Sequence, residues 1–279
     1  MTALAERLGH RGDTRLVIIN CDDLGMGHSV NEGCYDAMRS GLATSTTLMV
    51  PCPWARAAAG DYRDGDDVGV HLTLNAEHDR YRWGPITHAP SLLDGDGGFP
   101  RTVDDVWDHA DLDEVRKECW AQIERAMLWG VDVSHLDSHM GTMQLRPEFF
   151  DIYLDLAVEF RLPVRMAGTS VQKFAGFRFR DLAAEEGVVF PDHFVYVNGV
   201  GSRSTIEGVV ANLRPGVTEL YVHPATDSAE LRAITSSWEA RVDDHRLVTD
   251  DAGLRAALDL AGVELIGWHP LKELMAEQA

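Results

Sequence analysis

Short apolar runs alternating with amphipathic stretches give the chain its rhythm. Residues 16–20 (LVIIN) predict a strand, residues 30–40 have helical spacing, and residues 43–50 (ATSTTLMV) are rich in β-formers until Pro51 stops them. Residues 54–59 look helical, and residues 68–74 (VGVHLTL) read as a third strand. Asp113 and Glu114 open an amphipathic helix over residues 111–128. A fourth strand is expected at 133–137 and a helix at 147–160. Further short strands are expected at 163–166, 187–190, 218–222 and 263–267, with helices at 206–213, 228–239 and 250–261. Roughly eight β/α alternations imply an α/β fold with a parallel sheet, and closure into a TIM-like (β/α) barrel is the natural expectation. No linker divides the chain, so residues 1–279 are expected to form a single barrel domain. Residues 75–100 interrupt the rhythm, giving a long loop insertion near 75–105 that is rich in Gly, Pro and aromatics. Loops of that length are usually functional or disordered.

Composition narrows the chemistry. The formal charge of −20, with lysine only at 117, 173 and 272, leaves no basic surface for phosphates. Nucleic acid and anionic membranes are therefore not expected partners; a neutral substrate, or a cation at a carboxylate-rich site, fits better. Cys21, Cys34, Cys52 and Cys119 form no CxxC pair and read as buried free thiols. The first fifteen residues lack an apolar core and no run is long enough to span a bilayer, which makes a cytoplasmic enzyme the expectation. Apolar helix faces on a barrel leave room for a homodimer.

The candidate chemistry lies at strand ends. NCDDLG (20–25) follows the first strand directly, and two adjacent carboxylates there repel unless a cation joins them. Either aspartate would also serve as a helix cap. His71 interrupts an apolar strand and must find a partner, which for a lone buried histidine is more often a hydrogen bond than a metal. SHLDSH (134–139) ends the fourth strand. His135 and His139 would not readily both ligate from a strand, so His139 is the better ligand and Asp137 its outer support. His223, in YVHP at the end of another apolar run, suits a general acid. In a barrel these ends share one face, and one Asp with two His suits one catalytic divalent ion. Gly25 and Gly27 begin no complete dinucleotide fingerprint, and paired aspartates would repel phosphates.

NCDDLG, GLATSTTLMV, GVHLTL, SHLDSH, PVR (163–165) and ELYVHP (219–224), in this order, resemble the YdjC-like (ChbG-type) carbohydrate deacetylases. The resemblance implies a distorted (β/α) barrel related to polysaccharide deacetylases and removal of an N-acetyl group from a small carbohydrate. It implies metal ligation by Asp23, His71 and His139, Asp22 as base and His223 near the leaving group. Zinc or magnesium heads the implied ions, with manganese, nickel and cobalt also compatible. Arg165 is expected to orient Asp22 or meet substrate. Where the family's fourth motif usually continues with further histidines, this chain has SHMGTMQL (138–145). That departure turns attention to the loop, where Trp83, Tyr81, Phe99, the charged stretch 77–82 and GPITHAPSLL (84–93) would shape a different sugar pocket.

Overall fold

The run LVIIN opens a longer strand than its apolar residues suggest. In a computed structural model, which describes residues 3–197 and 202–277, β1 (Arg15–Leu24) continues through both aspartates and is buried after Arg15. Six more strands follow: β2 (Ser45–Leu48), β3 (Val68–Leu72), β4 (Val133–Ser138), β5 (His193–Val195), β6 (Gly216–Val222) and β7 (Val263–Leu265). All are parallel and join one sheet in the order β4-β3-β2-β1-β6-β5, with β7 added to β1. One edge of β1 carries β6 along residues 15–21; the other carries β7 at residues 15–17 and β2 from Asn20 onward. A strand bonded on both edges and covered on both faces reads as an apolar run, as residues 16–19 (LVII) do, and the buried Asn20, Asp22 and Asp23 at its end are the exceptions.

The sheet curls into a half-barrel surrounded by helices, which is the expected barrel in distorted form. Closure fails between β4 and β5. The expected strand at 163–166 supplies a single bridge, Leu136 to Val164, and Val164 N–H then donates to Val189 C=O at 3.0 Å. The apolar stretch expected as a strand at 187–190 forms no ladder; the strand of this region is β5, three residues further on. Val188 and Val189 are buried by packing instead.

The surrounding helices are set by local signals. Asp111 caps Leu112–Leu128 by accepting from the amides of Asp113 and Glu114. Pro147 opens Pro147–Phe160, and Arg161 in the left-handed region ends it. The helix expected at 228–239 is two helices, Ala229–Ile234 capped by Ser228, and Trp238–Thr249. All four cysteines are buried and free. Among the described residues, no helix is long and apolar enough to cross a membrane.

The loop after β3 is ordered by its own core. Trp83, Leu92 and Phe99 are buried. The Arg82 guanidinium donates to Phe99 C=O at 2.6 Å and also binds Ala76 C=O and Asp94. Glu118 of the helix Leu112–Leu128 accepts from the amides of Ile86 and Thr87 at 3.1 and 2.9 Å, fastening the loop to the sheet's outer layer.

Candidate metal centre and active site

The ends of β1, β3 and β4, with β2 between the first two, bring Asp23, His71 and His139 together. Asp23 is the penultimate residue of β1, His71 lies near the end of β3, and His139 follows β4 directly. The backbone of Asp23 is left-handed, with φ 72°, and the β1–β2 register slips between Cys21 and Leu24. This irregularity breaks strand alternation, so adjacent aspartates both reach the site. Aspartate tolerates the left-handed region better than most residues.

The donor atoms form a nearly equilateral triangle. Asp23 Oδ1 stands 3.5 Å from His71 Nε2 and 3.4 Å from His139 Nδ1, and the two nitrogens are 3.3 Å apart. Ligands about 2.0–2.1 Å from a shared ion in tetrahedral array would lie about 3.3–3.4 Å apart. Asp23 Oδ1 is buried without a hydrogen-bond partner, which is costly unless something else satisfies it. The residues therefore fit a divalent ion. A second group, Asp22, His71 and Asp137, also converges, but its carboxylates are already engaged by Arg165.

Charge supports the same position. Burial would lower the pKa of His139, yet Glu77 and Asp23 carry it up to about 10. Burial would raise Glu77, yet the His139 ring draws it down to about 2. Burial likewise opposes ionisation of Asp23, but Arg241 and His139 hold it well below the carboxylate range. The pocket thus carries negative charge that attracts a positive one; a divalent ion would supply it and leave both imidazoles neutral.

Each predicted residue has a definite place. Asp137 Oδ1 lies 2.5 Å from His71 Nδ1, so it fixes the tautomer that frees Nε2. Arg165 grips Asp22 through two bonds of 2.7 and 2.8 Å, reaches Asp137 at 2.8 Å and donates from Nε to Glu219 at 2.7 Å. Burial would raise Asp22, but this guanidinium more than reverses the effect. Asn20 adds a 2.8 Å bond to the same carboxylate. The His223 amide donates to Asp244 at 3.0 Å, and its ring stands edge-on to Tyr221. Burial pushes His223 down despite the opposing pull of Asp23. Trp83 is buried, donates to Asn75 C=O at 2.7 Å and presents its edge to His139. It and the buried Phe99 hold the loop together rather than offering open rings, and Tyr81 donates to Met26 C=O. His135 stacks on Trp268 and belongs to neither ligand group.

Three contributors carried no local signal. Arg241, on Trp238–Thr249, donates to Asp23 Oδ2 at 2.6 Å. Glu219 is the third carboxylate on Arg165, and Glu77 meets His139 Nε2 at 2.9 Å. Of these, Glu219 lay within the quoted ELYVHP and Glu77 within the charged loop stretch, but neither spacing marks a role.

Comparison with known proteins identifies the chain's relatives. A carbohydrate deacetylase of Thermus thermophilus is 32% identical, with 98% of this chain and 99% of that protein covered. One from Geobacillus stearothermophilus is 30% identical over 93% and 99%. A solved Enterococcus faecalis structure described as a cellobiose-phosphate cleavage protein superposes with a TM-score of 0.82 at 26% identity, covering 92% of this chain and 99% of that one. The YdjC-like protein model matches residues 16–259, so the chain belongs to the YdjC-like family.

Proposed function

We propose that this chain is a metal-dependent hydrolase that removes the N-acetyl group from an acetylated amino sugar or short oligosaccharide, releasing acetate. The observation that carries the reading is the triangle of Asp23, His71 and His139 around an unsatisfied carboxylate oxygen, with Asp22 held beside it by Arg165. Relatives named carbohydrate deacetylase over nearly their whole length support the substrate class. Two imidazoles and one carboxylate at tetrahedral spacing favour zinc over magnesium, which prefers octahedral oxygen ligands.

A divalent ion bound there would polarise the acetamide carbonyl and make water more acidic. Asp22 takes the proton of the water whose oxygen attacks the acetyl carbon. Arg165 fixes the direction of that carboxylate and keeps it anionic between turnovers. As the C–N bond breaks, His223 delivers a proton to the departing nitrogen, which otherwise leaves poorly. The products are acetate and a free amino sugar.

Acetate release from a panel of N-acetylated mono- and oligosaccharides tests the reading, run before chelation, after chelation and after metal return. Release that chelation abolishes and metal restores is expected from at least one member. No release from any member by protein loaded with stoichiometric metal would overturn it.

A further inference from the structure

The outer nitrogen of His139 is held by a residue from outside the strands. Its Nδ1 faces Asp23 and His71, while Nε2 stands 2.9 Å from Glu77 Oε2. Glu77 belongs to the loop after β3, five residues past the end of that strand. An imidazole that ligates through one nitrogen carries its proton on the other, and the group accepting that proton sets ring orientation and basicity. His71 has Asp137 for this purpose. The segment following His139 offers no carboxylate: Met140 and Gly141 turn through left-handed backbone, and Met140 points to solvent.

We propose that Glu77 is a positioning residue for the metal centre, accepting the Nε2–H of His139 and thereby coupling the order of the loop to the bound ion. This inference rests on the metal-dependent reading above. The coupling has a physical path. Thr142, just past His139, bonds Asn75 Oδ1 at 2.5 Å; Asn75 C=O accepts from Trp83; and Trp83 packs its edge against His139. Loop and histidine turn are thus stitched on both sides of Glu77. Whatever fixes the His139 ring fixes the start of the loop, and by linkage an ordered loop strengthens ion binding.

Chelator competition with Zn2+ alone tests the positioning role without any substrate. Glu77→Ala is expected to weaken Zn2+ binding by about 10–100-fold, and Glu77→Gln, whose amide oxygen still accepts the Nε2–H, to recover most of the loss. Hydrogen exchange on the wild-type protein gives an independent reading should Glu77→Ala fail to fold. Zn2+ should slow amide exchange across residues 76–83. Undiminished Zn2+ affinity in Glu77→Ala, or exchange across 76–83 that ignores saturating Zn2+, would overturn the proposal while leaving the metal-dependent reading in place. A wild-type protein that binds no Zn2+ would overturn both, and metal binding without acetate release would remove only the deacetylase reading.

Discussion

Asp22 and Asp23 are neighbours with separate counter-ions. Arg165 holds Asp22 and Arg241 holds Asp23, so each buried carboxylate keeps its charge beside the other. Exchanging Asp22 for Asn should leave the ligand triangle intact, so bound metal is retained while turnover falls by about 10²–10⁴-fold; metal content and acetate release on the same preparation decide it. Glu219 behaves differently. Burial pushes it up to about 7 against the pull of Arg165, whereas in the unfolded chain it would titrate near 4.3. The folded state therefore keeps a proton that the unfolded state gives up between those values. Its contribution is fully present below the unfolded value and is lost as pH rises through about 7. Urea unfolding should show Glu219→Gln gaining about 2 kcal/mol on the wild type between about pH 5 and pH 7. Parallel pH slopes for the two proteins would contradict the assignment. Asp22, Asp23, His71, Asp137 and His139 were legible because a parallel sheet puts its strand tips on one side. Arg241 and Glu77 were not, because a single charge gives no hint of a partner 218 or 62 residues away.

Among elements, the helix His28–Ser40 is closely fitted to its neighbour. It follows β1 and lies against the segment after β6, where a Cβ on Gly33 would sit 2.6 Å from Ala225 Cα and 2.9 Å from the Pro224 carbonyl carbon. Those contacts are with backbone and cannot swing aside. Gly33→Ala should cost about 1–3 kcal/mol and move His223, lowering kcat more than it raises KM; thermal unfolding with steady-state kinetics would reveal a harmless substitution instead. Strand positions were readable wherever a β-rich run ended in a turn signal, as in β1, β3, β4 and β6. The stretch 187–190 misled because burial alone makes a run apolar, with or without a ladder. The helix Trp238–Thr249 was missed beyond residue 239 because its polar residues Arg241 and Asp244 are buried at the site, which blurs the apolar stripe that marks a helix.

For the whole molecule, the ligand triangle joins β1, β3 and the turn after β4, so an ion should brace the sheet as well as serve chemistry. At a free ion concentration 100 times its dissociation constant, binding adds about 2.7 kcal/mol to stability. Stripping the metal should therefore lower the denaturant midpoint, and returning it should restore the midpoint; identical unfolding curves would show that the ion does not bind the folded state preferentially. The sheet also fixes an order of events. β1 lies between β2, made soon after it, and β6, whose Gly216 pairs with Arg15 across most of the chain. On the ribosome, Asp23, His71 and His139 are all present, on or beside the adjacent strands β1 to β4, before His223 or Arg241 has been synthesised. The residues of the proposed ion cradle are thus translated well before the proposed proton donor, and β1 waits for β6 and β7 to complete its pairing.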